Sequence, residues 1–280
     1  MKKLIYLSLL LFVFKAEAQQ SITFKYKYLP NHNYNGTVSM DMNCNATLKG
    51  DTQLINKLKS QGIIQPIVLN LGMKMIGGVK TGSPDANNIF PLTMNYKINE
   101  MSINISGKAI PMPATMNSDI KIYGHVGTDG KLKADSVNAN KLKDTSEKRI
   151  SQMMNSFQNM IKFPDHPLKI GDTFTQDMPF NIPMAGNNMT TNAKVVYKLV
   201  SIADGNAYFD ITQSMDITIP IKDQSITLKG AGTGKLVYDL KNSFPTDFTS
   251  NINLAFNGKI NTFEINGTAL MNMEYKYDIQ

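Results

Sequence analysis

Apolar and polar residues alternate along most of this chain. From Tyr34, the residues Val38, Met40, Met42, Cys44, Ala46 and Leu48 fall in one phase, with Ser39, Asp41, Asn43, Asn45 and Thr47 between them. A period of two puts the first set on one face of an extended strand and the second on the other. The pattern recurs at 67–79, and at 90–98 and 101–105 with a short turn expected at Asn99-Glu100. It recurs again at 120–126, returning through Asp129-Gly130 into Leu132 and Ala134. The second half alternates more cleanly. Residues 195–199 turn at Asp204-Gly205 into 207–219, and a turn near Lys222-Asp223 leads into 226–240. Residues 244–247 read as a loop, and 252–256 as a strand turning at Asn257-Gly258 into 263–277. Asp-Gly and Asn-Gly between alternating runs are strong hairpin signals. Roughly a dozen long strands joined by tight turns make an antiparallel meander.

Two stretches break this period. Residues 51–61 place Leu54, Ile55 and Leu58 on one helical face, with Asp51 as cap and Gly62 as stop. Residues 146–162 carry Ile150, Met153, Met154, Phe157, Met160 and Ile161 at three- and four-residue spacing. Asp144 and Glu147 resemble a capping box, and Pro164 ends the segment. This second helix divides an N-terminal β region, 19–145, from a C-terminal one, 163–280. Gly230, Gly232 and Gly234 all fall in the apolar phase of their strand. Three missing side chains on one face permit a sharp bend or a close approach of another element.

The first residues follow neither period. Lys2-Lys3, an apolar run at 4–14 and Ala16-Glu17-Ala18 form the pattern of a secretory signal peptide, 1–18. The expectation is an exported protein, periplasmic or secreted, with no lipid anchor because no cysteine follows the run. Export reframes the charge. The chain has 29 basic and 22 acidic residues, and losing Lys2, Lys3, Lys15 and Glu17 leaves 26 and 21. Arg149 is the single arginine. Base readout and bidentate phosphate contacts favour arginine, so no nucleic-acid partner is expected. Charged residues are 18% and hydrophobic ones 42%, which excludes a disordered polyelectrolyte. One cysteine excludes a disulfide framework, and no later run is long and apolar enough for a membrane helix.

Candidate chemistry is sparse. Gly230-Ala-Gly-Thr-Gly-Lys235 fails the phosphate-loop spacing, because Leu236 stands where Ser or Thr is needed. His32, His125 and His166 are far apart, and Cys44 lies in the apolar phase, where a thiol is usually inert. Glu264 and Glu274 are ten residues apart on one strand, too distant to work as a pair. No catalytic residue, metal site or cofactor is assigned, and an enzyme is the less favoured reading. Most of the 18 methionines share the strand phase of Ile, Leu and Phe. Thioethers can hold Cu(I), but this placement is that of an adaptable core filler, which also suits a lipid-type pocket.

The most distinctive string is Pro164-Asp165-His166-Pro167-Leu168-Lys169-Ile170-Gly171-Asp172-Thr173-Phe174. It resembles a Pro-x-x-Pro…Gly-Asp-x-aromatic signature of uncharacterised secreted β-sheet families of Bacteroidota, in which the last position is usually Trp. The resemblance implies a β-sheet protein with a central helix. It carries over no functional residue, and Gly171-Asp172 reads as a turn.

These observations predict an all-β protein: a long antiparallel meander forming a strongly curved sheet or half-barrel with one or two helices, as one unit or two lobes. A sheet with one apolar face must cover it. The favoured function is non-catalytic binding of a lipid-like or other apolar small molecule, or of an envelope component. The ligand cavity would be lined by Met40, Met73, Phe157, Phe209 and Met271. The alternatives are an envelope interaction or scaffold module with a packed core, and a hydrolase whose site residues are dispersed in sequence.

Overall fold

The structure is a computed structural model, and it describes residues 21–111, 119–139, 161–184, 187–221, 224–260 and 262–280. The elements are β1 (Asn33–Lys49), α1 (Thr52–Ser60), β2 (Ile67–Thr81), β3 (Phe90–Ile105), β4 (Lys108–Ala109), β5 (Ile120–Val126), β6 (Leu132–Ala139), β7 (Thr173–Met184), β8 (Asn187–Ala203), β9 (Asn206–Ile221), β10 (Gln224–Asp239), β11 (Phe244–Ile260) and β12 (Phe263–Ile279). The strands form one unclosed, curved, antiparallel sheet in the order β6-β5-β3-β2-β1-β12-β11-β10-β9-β8-β7, with the short β4 beside β3. The two halves are therefore one sheet, not two lobes. Each half is a meander, and β1 pairs with β12 along its length, from Tyr34↔Ile279 to Lys49↔Glu264.

Three sequence expectations change. Residues 90–105 are one strand, not a hairpin. Met75 pairs with Ile98 and Lys74 with Glu100, so Asn99 is an extra residue in a bulge. An inserted residue shifts the alternation by one, and that phase change imitates a turn. Residues 244–247 open β11 rather than forming a loop. The bend lies at 240–243, and Pro245 is tolerated because it stands at a strand start. Asn257-Gly258 is inside β11, which runs on to pair Ile260 with Phe263. The hairpins at Asp129-Gly130 and Asp204-Gly205 fall where expected, and the turn expected at Lys222-Asp223 lies outside the described residues. At Asp204-Gly205 both residues have positive φ, 52° and 76°, as a two-residue hairpin turn requires. Gly171, at φ 98°, and Asp172, whose carboxylate accepts from Lys169 N, form the expected turn before β7.

α1 begins as the sequence indicates, with Asp51 Oδ1 accepting from Leu54 N at 2.8 Å. Asp51 Oδ2 also accepts from Thr262 Oγ1, which ties the helix start to the β11–β12 turn. The expected helix over 146–162 lies mostly outside the described residues. Its last two positions, Ile161 and Lys162, are not helical, and Ile161 is buried. No helix among the described residues is long and apolar enough to cross a membrane.

The apolar face is covered at one end. The N-terminal segment alternates Phe24, Tyr26 and Tyr28 toward this face, and Ile22 pairs with Leu168 from the stretch that precedes β7. Phe24 packs on Phe163, Phe209 and Tyr238. Phe244 packs on Tyr26, Tyr28, Tyr34 and Tyr277, joining the N-terminal segment to β1, β11 and β12. Tyr197 on β8 and Tyr275 on β12 share one packed cluster although three strands separate them. The sheet therefore curls into a trough that is filled at this end. On the outer edge, Pro179 and Pro183 of β7 withhold backbone donors and discourage edge-to-edge pairing.

Candidate functional site

The register arranges the apolar phase in rows across the sheet. One row reads Met101, Met73, Met40, Met273, Ser250, Gly234, Ile211 and Tyr197, from β3 to β8. The next reads Ile103, Leu71, Met42, Met271, Ile252, Gly232, Gln213 and Val195. Seven methionines thus meet on β3, β2, β1 and β12: Met40, Met42, Met73, Met75, Met101, Met271 and Met273. All seven are only half-buried. The described segments that cover the apolar face, 22–28 and 161–168, pack at the opposite end. On the facing wall Ala193, Met215, Ile217 and Ile219 are buried together.

This places the residues that the sequence nominated. Met40 and Met73 are direct cross-strand partners, and Met271 is one row away, beside Met42. They line an open, half-covered surface among the described residues rather than a closed cavity. Phe209 is separate: it is 1% exposed and packs on Phe24 and Phe163 at the filled end. Phe157 lies outside the described residues. Cys44, one row beyond Met42, is half-buried, and burial raises its thiol pKa.

Sequence reasoning missed a polar patch at the boundary between the filled and open parts. Ser250 Oγ, 6% exposed, donates to Gln213 Oε1 at 2.8 Å across the intervening β10. The bond passes over Gly232 and Gly234, where the strand has no side chains. A Cβ on Gly232 would lie 3.0 Å from Gln213 Oε1, and one on Gly234 would meet Thr249 O at 2.1 Å. Tyr197 and Tyr275 are 0% and 2% exposed, and their hydroxyls are buried with no hydrogen-bond partner among the described residues. Tyr197 is diagonal to Gln213 and Tyr275 is diagonal to Ser250 on adjacent strands. The signal for this patch was in the sequence: Gln213 and Ser250 are polar residues in the apolar phase, level with the glycines.

Burial pushes the phenol of Tyr197, and likewise that of Tyr277, up to about 12. It raises Tyr275, Tyr26 and Tyr28 well above the ordinary 10.0, with neighbouring tyrosines adding to the effect. In the unfolded chain these groups lose protons near pH 10, while the folded chain holds them longer. The folded state then binds more protons, so the phenols' contribution to stability is fully present below about pH 10 and is lost as pH rises toward about 12. An alkaline titration should show tyrosinate absorbance of the buried phenols appearing together with loss of the sheet's circular dichroism. Tyrosinate rising in full while the sheet persists would contradict this burial.

Elsewhere the polar face carries exposed pairs, Lys229–Asp216 at 3.2 Å and Lys276–Glu274 at 2.7 Å, which contribute little. His125 Nδ1 meets Asp135 at 2.9 Å, also on this face. A shallow groove of about 620 Å³, with Asp41, Asp210, Lys235 and Glu274 in its lining, lies here too. Among the described residues, no group of three or more His, Cys, Asp or Glu converges.

No protein-family model and no curated protein matches this chain. Among solved structures it is similar to lipovitellin, from a structure whose subject is lipid–protein interactions in that protein. The TM-score is 0.44 and the identity 10%, over 91% of this chain and 26% of that one. The chain spans about a quarter of the length of that relative.

Proposed function

We propose that this is an exported, non-catalytic binding protein that holds an apolar ligand against the open, methionine-lined part of its trough. The observation that carries the reading is the gradient of cover along one sheet face. Rows at the 34–28–244 end are filled by the chain's own aromatic segments, whereas the row through Met101, Met73, Met40 and Met273 is half-covered. A contiguous apolar surface on an exported chain marks an interaction site. Methionine suits a ligand surface, because an unbranched thioether chain reshapes itself around varied apolar groups. The similarity to lipovitellin is to a protein studied for its lipid contacts; at that level of likeness it adds no weight.

The test is recovery of the ligand. The full chain, expressed with export and purified without detergent, should yield a long-chain apolar molecule in its organic extract, near one equivalent by mass spectrometry. The stripped protein should take up methyl palmitate saturably. An empty extract together with no saturable uptake would contradict the reading and favour an interaction module with a packed core.

A further inference from the structure

Resting on the trough reading, we infer that the ligand carries an uncharged hydrogen-bond acceptor at one end, an ester or ketone carbonyl, received by the hydroxyls of Tyr197 and Tyr275. Buried polar groups in folded proteins almost always have partners. Two hydroxyls in one cluster, on side chains at least nine-tenths buried and without a partner among the described residues, are therefore donors that a ligand's acceptor can satisfy. Both sit at the inner end of the methionine rows: Tyr197 is in the same cross-sheet row as Met273 and Met40, and Tyr275 is one row deeper. A chain lying over Met40, Met73 and Met271 would bring its head to them past Met273, whose flexible side chain can move aside.

The head is an acceptor because a phenol raised above its ordinary pKa stays protonated and donates. The head is uncharged because the cluster around the two hydroxyls is apolar and, among the described residues, no cationic side chain is buried with it. A carboxylate head there would be a buried charge without a counter-ion, which is costly. Ser250 Oγ directs its proton to Gln213 Oε1, and the pair flanks the site across β10.

The test compares three probes of equal chain length, methyl palmitate, palmitate and hexadecane, on the wild type and on Tyr197→Phe/Tyr275→Phe. The wild type should prefer methyl palmitate over hexadecane by about tenfold, the size of one or two neutral hydrogen bonds. It should also prefer methyl palmitate over palmitate. The double variant should bind hexadecane as the wild type does and show no preference for the ester. Without ligand, the variant should melt at the same or a higher temperature, because it no longer buries unpaired hydroxyls. Equal binding of ester and hydrocarbon by the wild type would overturn the inference and leave the trough reading standing. A preference retained in the variant, or a lower melting temperature showing that the hydroxyls already have partners, would do the same. Failure of all three probes to bind the wild type would overturn both.

Discussion

Met40→Asp is expected to weaken methyl palmitate binding by about 100-fold while leaving the sheet intact. Met40 stands at the centre of the methionine row, between Met73 and Met273. A ligand lying there buries that side chain further, and full burial of a methionine is worth roughly 1.5–3 kcal/mol. Aspartate forfeits this and adds the penalty of covering a charge with hydrocarbon. The fold survives because position 40 is half-exposed and lies outside the packed clusters. Ser39→Asp is the matched control. It adds the same charge one residue earlier on the polar face, beside Asp41 and Glu274, and binding should not change. Equal losses from both substitutions would indicate a general charge effect instead of a contact.

Phe244→Ala should have the opposite profile, with a large loss of stability and no direct loss of ligand contact. Phe244 is 1% exposed and its ring packs against four tyrosines, Tyr26, Tyr28, Tyr34 and Tyr277, with centroids 4.8–5.5 Å away. Truncating such a ring typically costs about 3–5 kcal/mol, from lost transfer energy and the cavity left behind. It also frees the N-terminal segment from the trough, since Lys27 N donates to the neighbouring Ser243 O. Chemical denaturation should show a lower midpoint with a similar slope. An unchanged midpoint would mean that the N-terminal segment does not hold the filled end together.

The two-residue period made most of the sheet legible before the structure, because a face that is half-covered forces strict alternation. It failed where a local irregularity imitates another signal. The bulge at Asn99 shifts phase as a turn would, and Asn257-Gly258 has the composition of a hairpin turn while lying inside β11. Pairing between distant strands was beyond reach. Nothing in the local pattern of β1 or β12 says that they join the two meanders, yet this pairing is what gathers Met40, Met42, Met271 and Met273. The glycines of β10 were visible as a stripe in the apolar phase. Their consequence, a hydrogen bond from β11 to β9 over the glycine positions of β10, needed the register.

The central claim is that the open methionine surface is where a ligand lies, and photolabelling addresses it most directly. A long hydrocarbon chain bearing a diazirine, bound to the stripped protein and irradiated, should modify Met40, Met42, Met73, Met101, Met271 and Met273. Excess methyl palmitate should protect those positions. Label spread over the polar face, or confined to the filled end around Phe24 and Phe209, would contradict the account.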